Sequence, residues 1–137
     1  MKKLITAIIA IATLSTVISA EDIQKHQIFL GSYHTVEKAT GEWNQFNYGY
    51  SYTFDNTIKV GAYQNSFNRP TVFIGKDLPI NNNVGFFLAA GTGYNSKIGG
   101  SLYVKTENIR VDILPLVMKE KNDGQKIGAV LAVSFVF

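Results

Sequence analysis

The sequence predicts an all-β fold, specifically an eight-stranded antiparallel transmembrane β-barrel. Short alternating segments rich in Tyr, Phe, Val and Ile recur along the chain, separated by Asn, Gly, Asp and Lys clusters, with no sustained helical period. Each segment is close to the roughly ten residues that a tilted strand needs to cross a bilayer. The last one ends on Phe137 and is apolar at alternating positions.

A leader comes first. Lys2 and Lys3 precede the apolar run Leu4 to Leu14, and the stretch closes on Ser19-Ala20. This is the pattern of a secretory signal peptide cut after Ala20, so residues 1–20 are assigned to export and 21–137 to the barrel. Thr6, Thr13, Ser15 and Thr16 interrupt the run too often for a spanning helix. The strands are then expected at His26–Val36, Gln45–Phe54, Thr57–Ser66, Thr71–Leu78, Val84–Tyr94, Ile98–Thr106, Ile109–Met118 and Lys126–Phe137. Turn chemistry divides them: a tight hairpin at Asp55-Asn56, a longer turn at Asn81-Asn82-Asn83, a polar loop from Lys119 to Gln125 and another from Lys38 to Trp43.

Composition narrows the function. The chain has 13 Lys and Arg against 10 Asp and Glu, and loss of Lys2 and Lys3 with the leader leaves 11 against 10. No basic patch for nucleic acid is indicated. There is no Cys, hence no disulfide scaffold and no thiol nucleophile. With only His26 and His34 and no Cys, no metal-ligand cluster is expected, and no cofactor. The glycines Gly91, Gly93, Gly99 and Gly100 lack the Lys-Ser/Thr and the helix of a phosphate loop.

The last strand is the most informative. Ile127, Ala129, Leu131, Val133, Phe135 and Phe137 share one face, and Gly128, Val130, Ala132, Ser134 and Val136 the other. A final strand of this kind resembles the assembly signal of bacterial outer-membrane barrels, which implies a bacterial outer-membrane location. The fifth and last strands are apolar or small on both faces, which favours a lipid-filled lumen over the polar one of a porin. Trp43, Phe46, Tyr48, Tyr50 and Tyr52 are expected in an aromatic girdle at the membrane interfaces. Lys38, Lys97, Lys119 and Lys121 are expected in outer loops, within reach of lipid phosphates.

With both termini on the periplasmic side, odd strands run outward. The outer end of the first strand then carries Ser32-Tyr33-His34 and that of the third Gln64-Asn65-Ser66, so His34 and Ser66 fall at one rim. Alternation places Ile28, Leu30, Ser32 and His34 on one face, and Ile58, Val60, Ala62, Gln64 and Ser66 on another. A hydroxyl beside an imidazole is the minimum for acyl transfer, and the imidazole needs a third group to fix its tautomer.

These residues carry a resemblance. Tyr33-His34, Asn65-Ser66-Phe67-Asn68, the glycine-containing run Val84 to Gly91 and Ile113-Leu114-Pro115 occur in the order of motifs in the outer-membrane lipid A palmitoyltransferases, which the chain resembles with gaps from about Ile28 to Phe137. The resemblance implies a monomeric membrane-embedded enzyme that moves an acyl chain from a phospholipid to lipid A at the outer leaflet. It assigns catalysis to Ser66, His34 and Asn65, with Asn65 standing where the family has Asp. Glu37 or Glu42 in the first outer loop are the carboxylates that could substitute. Only Glu21 to Lys25 precede the first strand, so the family's amino-terminal helix has no counterpart, and the family's pocket-floor glycine falls at Asp77. The competing expectation is a non-catalytic barrel for surface recognition, masking or structural support.

Overall fold

The computed structural model describes residues 24–37, 42–54, 57–119 and 124–137. Residues 1–20, the Asp55-Asn56 hairpin and parts of the first and last outer loops, with Lys38 and Lys121, lie outside them. Eight strands form: β1 (His26–His34), β2 (Gly49–Thr53), β3 (Ile58–Gln64), β4 (Pro70–Pro79), β5 (Val84–Gly91), β6 (Ile98–Lys105), β7 (Ile109–Lys119) and β8 (Gln125–Val136). They pair in sequence order, and β8 closes on β1, giving an antiparallel barrel without a free edge. Phe137 finishes the closure: its backbone exchanges two hydrogen bonds with His26, at 2.9 and 3.0 Å.

The barrel is inverted relative to a soluble protein. Among the described residues, those buried are mostly polar, including Gln27, Ser51, Lys59, Ser101, Arg110 and Ser134. The outward positions are apolar and open: Val72 is 62% exposed, Ile74 55%, Leu88 54% and Ile127 76%. Polar inside and apolar outside is the reverse of the usual burial preference.

Closure is uneven. β7 and β8 pair from Ile109–Phe135 to Lys119–Gln125, but β6 and β7 pair only from Leu102–Ile113 to Lys105–Arg110. Above that point Ile98 to Ser101 and Leu114 to Lys119 have no ladder between them. Pro115, which has no N–H to offer a ladder, sits in this stretch. β1 and β2 likewise pair only from His26–Tyr52 to Phe29–Gly49. The second strand expected from Gln45 therefore starts at Gly49.

Two face assignments from alternation change. The register of β1 on β8 shifts between Phe29 and Gly31, a bulge that takes one residue out of the alternation. Ile28 consequently faces out at 39% exposure, while Gln27 and Phe29 below the bulge, and Ser32 and His34 above it, face the lumen. In β3 Ile58, Val60, Ala62 and Gln64 share a face as expected, the outward one, while Lys59 and Tyr63 line the lumen, and only Ser66 departs from the expected set. Ser66 reaches the lumen only because the chain turns after Gln64.

Candidate functional site: a lumen in three layers

At the end that holds His26 and Phe137, the lumen carries an ion-pair network. Arg110 Nη1 donates to both oxygens of Asp77 at 2.8 and 2.9 Å, and its Nε and Nη2 donate to Asp112 at 2.8 Å. Lys59 Nζ lies 3.2 Å from Asp77 and donates to Gln27 Oε1 at 2.7 Å. Gln27 Nε2 donates to Ser134 Oγ at 2.8 Å, and Ser101 Oγ to Asp112 at 2.7 Å. Two cations meet two carboxylates, and the forked Arg contacts hold the geometry. The Arg110 guanidinium also lies 4.0 Å from the Tyr103 ring centroid and 5.4 Å from that of Phe87. Sequence reading missed this plug. Its signal was present in Ile58-Lys59-Val60 and Ile109-Arg110-Val111-Asp112-Ile113, where charges alternate with apolar residues and so must occupy the opposite face.

Above the plug, Phe29, Tyr63, Phe73 and Phe87 form an aromatic layer. Phe73 stands 6.0 Å from Phe29, 5.8 Å from Tyr63 and 5.8 Å from Phe87, each pair tilted or edge to face. Glycines on neighbouring strands make room for the rings. A Cβ at Gly75 would strike Phe87, and one at Gly61 would strike Phe73.

A cavity of about 560 Å³ runs from the plug, where Gln27, Lys59, Ser101, Arg110 and Asp112 line it, past the aromatic rings to the end away from Phe137. Its walls are mainly apolar, with Leu114, Leu116, Val130 and Ala132 on one side. It extends to Ile98, Gly99 and Gly100 of β6 and to Pro115 and Val117 of β7, the stretches between which no ladder forms. A Cβ on Gly99 would meet nothing within 4 Å. The cavity thus reaches the break in the sheet.

His34, Ser66, Trp43, Phe67 and Tyr94 surround its mouth. The structure therefore brings His34 and Ser66 to one end of the barrel and one cavity. His34 stacks flat on Trp43, with centroids 4.4 Å apart and planes 5° apart, and Trp43 meets Phe67 edge to face at 5.4 Å. Trp43 Nε1 donates to the Val36 carbonyl at 2.9 Å. Trp43 thus belongs to the cavity, while Phe46, Tyr48 and Tyr50 are exposed outside it. Lys97 also lines the mouth. Tyr63 donates from its hydroxyl to that of Tyr94 at 3.1 Å. Burial raises the Tyr94 phenol pKa, outweighing hydrogen bonds with Tyr63 and the Ser66 backbone that lower it, so the group is protonated at neutral pH.

Asn65 is wholly buried and committed to its own turn. Its Oδ1 accepts from the Phe67 and Arg69 amides at 2.9 and 3.0 Å, and its Nδ2 donates to Thr71 Oγ1 and the Gly93 carbonyl, both at 3.0 Å. Asn68, at φ 59°, completes the turn in the left-handed region that Asn tolerates, and its amide donates to the Asn65 carbonyl at 2.9 Å. With two bonds accepted and two donated, the Asn65 amide is saturated, and none of its partners is His34. Asn65 fastens the β3–β4 turn to the β5–β6 loop and so fixes where Ser66 stands. Glu37 and Glu42 are exposed.

Fold and cavity together define a closed barrel with a plugged lower lumen and an apolar upper one. No family model matches the chain, and no curated protein matches it significantly.

Proposed function

We propose that the protein is a monomeric bacterial outer-membrane barrel that admits an acyl chain of an outer-leaflet phospholipid into its upper lumen and transfers it to lipid A. What supports membrane placement is the apolar outer surface wrapped around a polar plug, which suits hydrocarbon outside and leaves the strands no unpaired edge. What carries the lipid reading is the continuity of the apolar cavity with the β6–β7 break. A chain lying in a leaflet can pass sideways there without crossing the mouth.

In this reading the Ser66 hydroxyl attacks the phospholipid ester while His34 takes its proton and passes it to the departing lysophospholipid oxygen, leaving an acyl-Ser66 ester. A lipid A hydroxyl then attacks that ester, giving its proton to His34, which returns it to the released Ser66 oxygen. Asn65 serves by holding the Ser66 turn. A specific observation favours a second reading. Among the described residues no carboxylate hydrogen-bonds His34 and its Nδ1 has no partner, so the same lumen suits a barrel that binds lipid without chemistry, for surface recognition or support.

Mass spectrometry of lipid A separates them, using cells that carry the wild type, Ser66→Ala or an empty vector, with outer-membrane insertion of both proteins verified. An added acyl mass in the wild type alone is expected. Identical lipid A in all three overturns acyl transfer.

A further inference from the structure

One wall of the cavity mouth carries polar atoms for which the fold provides no partner. Ser32 is 2% exposed, His34 8% and Asn47 6%. Among the described residues, Ser32 Oγ, His34 Nδ1 and Asn47 Oδ1 make no hydrogen bond, and all three residues line the cavity. The chain brings them side by side. The Ser32 amide donates to the Gln45 carbonyl at 2.9 Å, two residues before Asn47, and His34 stacks on Trp43, two residues before Gln45. Leaving a buried polar atom unpaired is costly, and native folds leave few of them. Three on one cavity wall point to a ligand.

Their chemistry selects its class. Asn47 Nδ2 donates to the Gln64 carbonyl at 3.0 Å and the Asn44 carbonyl at 3.4 Å, which fixes the amide orientation and leaves Oδ1 as an acceptor only. An ester carbonyl or a carboxylate offers that atom nothing. An alcohol hydroxyl can donate to Asn47 and still accept from Ser32, whose hydroxyl does either. The walls beside this polar patch are apolar, from Phe29 to Val130 and Ala132.

We infer that Ser32 and Asn47, beside His34, bind the hydroxyl of an amphiphile whose apolar chain lies in the upper lumen. The site goes beyond the proposed transfer, which uses neither Ser32 nor Asn47, and does not depend on it: a barrel that only holds lipid binds the same group. Where transfer does occur, this wall is the place for an acceptor hydroxyl next to His34.

The probe is Trp43, the only tryptophan in the chain. The protein, folded into phosphatidylcholine vesicles, is titrated with 1-dodecanol and with dodecyl methyl ether, which has the same oxygen but no donor, and Trp43 emission is followed after correction for partitioning. The wild type is expected to bind the alcohol about 10-fold more tightly than the ether, as one net hydrogen bond supplies. Ser32→Ala and Asn47→Leu each reduce that preference to within about twofold. Ser32→Ala removes an atom that has no partner in the fold, so its urea midpoint stays level or rises and loss of preference in it is not misfolding. Equal affinity for the two probes in the wild type, no response to either, or a preference that survives in both variants overturns the inference.

Discussion

The two ends of the lumen are built to opposite rules. At the terminus end, Lys59, Asp77, Arg110 and Asp112 each find an opposite charge at 2.8 to 3.2 Å, and the neighbouring Gln27, Ser101 and Ser134 are drawn into the same network. At the loop end, Ser32, His34 and Asn47 present cavity-lining buried atoms without a partner among the described residues, whereas Ser51 Oγ and Asn108 Oδ1, unpartnered at the terminus end, do not line the cavity. Ladders on two seams also stop short at the loop end. The lower half therefore holds the barrel together and the upper half keeps polar capacity in reserve. Unsatisfied groups and broken ladders lower stability, and a fold tolerates them where a ligand uses them.

Disabling the plug gives the largest expected effect. Arg110→Met leaves Asp77 and Asp112 facing each other with only Lys59 to compensate, and breaking a buried ion pair from one side costs about 3–5 kcal/mol. Urea unfolding from lipid vesicles should show a loss of that size; a loss below about 1 kcal/mol would mean that the plug is not what holds the lower half.

At the loop end, Asn65→Asp sharpens the comparison. A carboxylate keeps the bonds from Phe67 and Arg69 but has no hydrogen for the Gly93 carbonyl, 3.0 Å away. The variant is expected to be about 1–3 kcal/mol less stable and no more active. A gain in lipid A acylation, read by mass spectrometry, would instead make Asn65 a weakened orienter of His34.

Smallest in stability is Gly99→Trp. Gly99 pairs with the lumen-facing Ala89, and its missing Cβ points into open space, so a large ring there fills the cavity beside the β6–β7 break without striking the wall. The urea midpoint should move by no more than the equivalent of about 0.5 kcal/mol, whereas a large drop would show that this region is packed and not open.

How much of this was legible in the sequence differs between the same two halves. All eight strands could be read, because alternation and turn residues are local signals, and the shared rim of His34 and Ser66 followed from strand direction alone. The bulge at Leu30 could not be read, since it depends on the register of β8 against β1, and it put Ile28 on the opposite face from Ser32 and His34, where one shared face was expected. Ser66 reached the lumen for a reason alternation does not contain: the turn organised by Asn65. The charges at Lys59, Arg110 and Asp112 were visible as residues, but their meeting across the lumen with Asp77 is a property of closure. The Asn65 amide looked like a substitute for a catalytic carboxylate until its four partners were known.

The most direct test of the central claim, that the upper lumen takes an acyl chain through the break between β6 and β7, is native mass spectrometry of wild type and Gly99→Trp extracted gently from the membrane fraction of expressing cells. The account predicts a lipid adduct on the wild type, about one per barrel, and its absence from Gly99→Trp. Equal lipid retention by the two proteins would contradict it.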